Sequence, residues 1–148
     1  MNFEAYLDQH GTLVYTNVGK SMLPLLRQGR DLMVIEKRPP GRLRRFDAVL
    51  YSPVPGRYIL HRIIAVRETD YVILGDNCIR KETGITDDQI LGVLTAIRRG
   101  SRTIRADSFG VRAFVRVWYA LYPLRRLLRI AAGRLRRMIG AGKTEDRT

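Results

Sequence analysis

A mainly β domain followed by a basic helical tail is the fold class that this 148-residue sequence predicts. Three observations predict it. Short runs rich in β-formers, punctuated by glycine and proline, recur through the first hundred residues, the pattern of antiparallel strands joined by tight turns. From Ser108 the apolar residues recur every three or four positions instead, which is the helical period. The charge changes at the same place. Residues 98–148 hold 14 of the 27 basic residues and 3 of the 14 acidic ones, a net +11, whereas residues 1–97 carry only +2. The expected organisation is a partly rolled antiparallel β domain over 1–100 and a basic amphipathic helical segment over 101–148.

Each element follows from local pattern. Residues 2–10 allow one or two helical turns with Phe3, Tyr6 and Leu7 on one side, ended by Gly11. Thr12 to Val18 alternates and reads as a strand. Ser21 to Gly29 reads as a turn or short helix whose apolar side is Leu23, Leu25 and Leu26. Asp31 to Lys37 is a strand, Pro39-Pro40-Gly41 a loop, Arg42 to Arg45 a basic lip and Ala48 to Ser52 a strand. Pro53-Val54-Pro55-Gly56 reads as a turn. Tyr58 to Val66, Tyr71 to Leu74 and Gln89 to Arg98 complete the strands, with Glu68-Thr69-Asp70 as a hairpin turn. In the tail, Val111, Phe114, Val115, Trp118, Leu121 and Tyr122 share a helix face. Pro123 is expected to kink or break that helix. Leu124, Leu127, Leu128, Ala131, Leu135 and Met138 continue the stripe, opposite an arginine-rich side. Gly140 to Thr148 is expected to fray.

Composition excludes several function classes. The single cysteine, Cys78, allows no intramolecular disulfide; beside a Gly-Asp-Asn loop it reads more readily as a small half-buried side chain than as a reactive thiol. No His/Cys/Glu cluster has metal-ligand spacing, and no glycine-rich loop suits a phosphate, so neither metal nor cofactor is expected. Met1 to His10 carries Glu4 and Asp8 and lacks the apolar core of a signal peptide. The longest apolar run near the tail, Val117 to Leu124, falls far short of the roughly 20 residues that span a bilayer. The expected location is the cytoplasm, at most peripheral to a membrane. The tail suits either an anionic membrane surface or docking on the β domain; no nucleic-acid-binding motif accompanies its charge.

The chemistry concentrates in three boxes. Gly19-Lys20-Ser21-Met22-Leu23-Pro24 places a serine between an apolar run and a proline. Leu60-His61-Arg62 places an imidazole in a strand, and Leu74-Gly75-Asp76-Asn77 supplies a carboxylate. A serine hydroxyl needs a base to become a nucleophile, and histidine is the side chain suited to that near neutrality. His10, with no such surroundings, reads as a surface residue. Asp47 reads as a structural carboxylate, and Asp87 and Asp88 as a solvated turn.

The boxes, in this order, resemble the signal peptidase family of serine endopeptidases, which shares its catalytic fold with LexA-like self-cleaving repressors. The resemblance runs over about residues 13–97 and includes Phe46-Asp47-Ala48-Val49-Leu50-Tyr51 and Ile90-Leu91-Gly92-Val93. It implies that Ser21 is the nucleophile and His61 the general base, as in the archaeal and endoplasmic-reticulum branch, where bacterial members use lysine. It also implies that Gly19, Met22 and Pro24 flank the substrate, and that the substrate is a peptide or precursor protein cut at a leader boundary. Two carboxylates compete to orient His61: Asp76 in the Gly-Asp-Asn box, and Glu82, where histidine-type members carry an aspartate. No apolar run here reaches the length of the transmembrane anchor that most family members carry, so the chain is expected to depart from the family there. A non-enzymatic binding module on the same fold and a LexA-like self-cleaving regulator remain the alternatives.

Overall fold

The computed structural model describes residues 2–16 and 18–141. The chain divides into two compact units, Met1–Ala113 and Phe114–Thr148.

The first unit is built on an antiparallel sheet. Helix α1 (Phe3–His10) opens it, capped by Asn2, whose side chain accepts from the Glu4 and Ala5 N–H groups. Gly11 closes the helix in the left-handed region at φ 71°. The strands are β1 (Thr12–Thr16), β2 (Asp31–Lys37), β3 (Ala48–Val54), β4 (Arg57–Val66), β5 (Tyr71–Leu74), β6 (Glu82–Ile85), β7 (Ile90–Arg99) and β8 (Arg102–Arg105). Among the described residues they form one eight-stranded sheet in the order β1-β2-β7-β3-β4-β5-β6, with β8 on β7. Strand β7 is shared. One edge pairs with β2; along the other, its first half pairs with β3 and its second half with β8.

Strand alternation sends side chains to two apolar clusters. Phe3, Leu7, Leu13, Met22, Leu26, Ile35, Leu50, Leu60 and Ile97 belong to one, and Val49, Tyr51, Ile63, Tyr71 and Ile73 to the other. Asp31 is buried where β2 meets β7. Arg30, Arg99 and the Arg27 N–H all bond its carboxylate. Burial alone would raise its pKa, but these bonds hold it well below the usual carboxylate range.

Four expectations need correction. The sheet extends beyond residue 100, because β8 pairs with β7; Arg102-Thr103-Ile104-Arg105 is sheet and not tail. Strand β6 and the 3₁₀ turn Asp87–Gln89 were not expected. Pro53 and Val54 continue β3, so the turn is confined to Pro55-Gly56. Asp87 is half-buried and accepts from Arg38, Arg42 and the Tyr71 hydroxyl. Burial opposes ionisation there, but the three donors outweigh it and hold its pKa at about 2. It is therefore a structural carboxylate and not a solvated one.

The second unit contains most of α2 (Phe109–Ala120) and all of α3 (Tyr122–Ala141). Pro123 is the second residue of α3, in the first turn, where its missing N–H costs nothing. The chain breaks between the helices instead of kinking one. The expected frayed end lies mostly outside the described residues.

Candidate active site

Four segments supply the site. Ser21 sits in the turn region between β1 and β2. His61 is central in β4, Gly75 to Cys78 form the loop after β5, and Glu82 begins β6. Pairing brings them together. His61 lies opposite Val49 of β3, so it shares a sheet face with Val49, Tyr51, Ile59 and Ile63. Its neighbours in sequence, Leu60 and Arg62, face the other way.

The Gly-Asp-Asn loop clasps the serine segment. The Asn77 N–H donates to the Ser21 carbonyl at 2.7 Å, and Asn77 Nδ2 donates to the Lys20 carbonyl at 3.0 Å. Gly75 explains why a glycine precedes the aspartate. A Cβ at this position would lie 2.8 Å from His61 Nε2, 2.9 Å from the Ser21 carbonyl oxygen and 2.7 Å from Cys78 Sγ. Any larger residue would therefore push the serine segment and the imidazole apart. Ser21 and His61 are brought to the same glycine, although no described hydrogen bond joins Ser21 Oγ to the ring. In an unliganded site that bond is often long.

Glu82, and not Asp76, meets the imidazole. His61 Nδ1 lies 3.0 Å from Glu82 Oε1. An ionised carboxylate only accepts, so Nδ1 carries the proton. The Nε2 lone pair is then left on the Gly75 and Ser21 side. The second Glu82 oxygen accepts from the Tyr51 hydroxyl at 2.7 Å, and that hydroxyl lies 3.5 Å from His61 Nδ1. Burial of the ring pushes the His61 pKa below its ordinary value, and the charge of Glu82 only partly offsets this. The imidazole is thus neutral at neutral pH, the form that accepts a proton. Burial and the Glu82 carboxylate together push the Tyr51 hydroxyl up, so it remains a donor.

Asp76 has a different partner. Its two oxygens accept from Arg62 Nε and Nη2, both at 2.8 Å, and Arg62 Nη1 donates to the Phe46 carbonyl. Both side chains are buried. Asp76 therefore braces the loop from the far side of β4.

The remaining expected residues divide. Gly19 has φ 94° and donates its N–H to Gln28 Oε1, which suits a glycine at an open turn. Pro24 is exposed. Met22 is completely buried in the core and anchors the serine turn, where it was expected to flank the cleft; its apolar character suited either place. Asp47 accepts from the Arg44 N–H through its side chain, the structural role expected of it. Cys78 is half-buried beside Gly75. His10 is exposed and packs against Tyr6. No group of three or more potential metal ligands occurs among the described residues.

Sequence reasoning missed Tyr51 and Gly75 as site residues. The signal for Tyr51 was present in the alternation of β3 and β4. A tyrosine two residues from the position opposite His61 shares its face, so one polar hydroxyl had to find a partner there.

In comparisons with family models, characterised proteins and solved structures, the chain gives no match.

Proposed function

We propose that this chain is a serine endopeptidase of the signal peptidase type, with Ser21 as nucleophile, His61 as general base and Glu82 as the carboxylate that orients it. One observation carries the reading: a neutral histidine is held by a carboxylate through Nδ1, and its Nε2 faces the glycine that also touches the Ser21 segment. That arrangement has the parts of a triad, a base oriented from behind and open in front.

The steps follow from the atoms. Ser21 Oγ attacks a peptide carbonyl while His61 Nε2 takes its proton. Negative charge on the carbonyl oxygen is met by backbone N–H donors, with the Ser21 N–H as a candidate. The imidazolium, stabilised by Glu82, protonates the leaving amine. Water then hydrolyses the Ser21 ester by the same proton path in reverse. The substrate in this reading is a leader-bearing peptide or precursor protein with small residues before the scissile bond, by analogy with the family that the motifs resemble.

A binding module on the same scaffold is the second reading. It is favoured by the lack of a described hydrogen bond between Ser21 Oγ and His61. Cleavage of a peptide library by the wild type and by Ser21→Ala separates the two. The protease reading expects cleavage lost in Ser21→Ala with folding unchanged, since one turn hydroxyl is worth about 1 kcal/mol. Cleavage at an equal rate by both, or by neither, overturns it.

A further inference from the structure

The apolar stripe of α3 is not covered by the rest of the second unit. Leu127 is 65% exposed, Leu128 62%, Leu135 57% and Met138 73%, with Leu124 and Ile139 similarly open. Among the residues of α3 whose burial is described, the half-buried ones are Tyr122, Arg125, Ile130 and Gly133. At 100° per residue, Tyr122 and Gly133 lie on the side away from the leucines, and Arg125 borders that side. Arg125 is held there within the second unit, over the Trp118 ring at 4.0 Å and bonded to the Trp118 carbonyl at 2.9 Å.

We propose that α3 binds in the plane of an anionic lipid bilayer, with the Leu124-to-Ile139 stripe in the acyl boundary and its arginines at the lipid phosphates. The stripe runs about 20 Å along the axis, at 1.5 Å per residue. Arg125, Arg126, Arg129, Arg134, Arg136 and Arg137 are interleaved with it, and no acidic residue lies between Phe109 and Ala141. A strongly charged face opposite an apolar one is the pattern of interfacial helices. The charge also decides against the other occupants. A second copy on the stripe would cover the leucines but leave the arginines without counter-charge. A nucleic acid would satisfy the arginines but leave the leucines in water. An anionic bilayer satisfies both. The helix does not cross it: no helix among the described residues is long and apolar enough to span a membrane.

The test is co-sedimentation of the full chain with vesicles. Vesicles of mixed phosphatidylglycerol and phosphatidylcholine should bind it, and pure phosphatidylcholine should bind at least tenfold more weakly. Arg129→Gln/Arg136→Gln/Arg137→Gln should weaken anionic binding about a hundredfold, at a factor of about five per cation. Leu127→Asp/Leu128→Asp should weaken it at least tenfold, and both sets of exposed substitutions should leave thermal unfolding unchanged. Salt of about 0.5 M should weaken wild-type binding further. Ser21→Ala should bind vesicles like the wild type, so this result stands apart from the protease reading. Absence of anionic-vesicle binding overturns the proposal. So does binding unaffected by Leu127→Asp/Leu128→Asp, or equal binding to a DNA duplex, since either marks a site for polyanions in general.

Discussion

His61 and Arg62 are consecutive residues of β4, yet their two carboxylate pairs are built for different ends. Arg62 meets Asp76 through two parallel bonds, with a third bond to the Phe46 carbonyl, and both side chains are almost completely buried. All three guanidinium nitrogens donate to fixed protein atoms. His61 meets Glu82 through one nitrogen only, and the Glu82 side chain is 37% exposed. The other nitrogen points toward Gly75 and the Ser21 segment. The first pair is closed and can only hold structure. The second is held on one side and open on the other, as a proton-transfer group must be. Alternation along one strand places the two pairs on opposite faces, so the same backbone supports a brace and, in the proposed reading, a base.

Breaking the closed pair should cost the most. Asp76→Asn leaves the Arg62 guanidinium buried without its counter-charge, and should lower unfolding stability by about 4 kcal/mol. Urea denaturation checks this. A loss below about 1 kcal/mol would show that the closed pair is not the brace described.

The open pair should show the reverse signature. Glu82→Gln removes the charge that fixes the His61 tautomer and should lower the cleavage rate by about a thousandfold. Stability should change by less than about 1 kcal/mol, because the partner carboxylate is more than a third exposed. Rate and urea midpoint measured on the same preparation test both halves. A stability loss as large as that of Asp76→Asn would remove the distinction between the pairs.

Gly75→Ala sharpens the comparison from the open side. The new methyl meets His61 Nε2, the Ser21 carbonyl and Cys78 Sγ at under 3 Å. The serine segment or the imidazole must move, and cleavage should fall about a hundredfold even though the chain still folds. Near-wild-type turnover in Gly75→Ala would mean that Ser21 and His61 do not work across this glycine.

The smallest change is Tyr51→Phe. It deletes one hydrogen bond to Glu82 and should cost about 1 kcal/mol of stability. Without that donor the Glu82 charge falls more fully on His61, so the acid-side midpoint of activity should move to higher pH. A midpoint unmoved or lowered would show that Tyr51 does not act through Glu82.

The contrast between the pairs also marks how far the sequence could be read. The strands Asp31–Lys37 and Tyr71–Leu74 were legible because each alternates or is continuously apolar between clear turn residues. Glu82–Ile85 was not, because Glu-Thr-Gly-Ile has one apolar residue and becomes a strand only by pairing with β5. Arg102–Arg105 resembled the basic tail for a similar reason: its strand character comes from β7. The serine and histidine boxes were legible as local motifs. The choice between Asp76 and Glu82 was not, because it depends on which face of β4 each loop reaches. Met22, expected to flank the cleft, is buried in the core; an apolar residue beside a candidate nucleophile fits a cleft wall and a core equally well, and only burial distinguishes them.

The pH response has a definite sign. Because burial lowers the His61 pKa, the unfolded chain takes up a proton at this residue before the folded one does. Its contribution to stability is therefore present above the ordinary histidine value of about 6.5 and is lost as the pH falls below it. Activity that needs neutral His61 should hold its plateau through pH 7 and fall only on the acid side of that value.

The most direct test of the central claim is the rate at which a fluorophosphonate probe labels Ser21 across pH, followed by mass spectrometry of the full chain. The account predicts one adduct, mapped to Ser21, whose rate falls in acid with a midpoint below about 6.5 and drops by orders of magnitude in His61→Ala. No adduct on Ser21, or labelling of equal rate in wild type and His61→Ala, would contradict it.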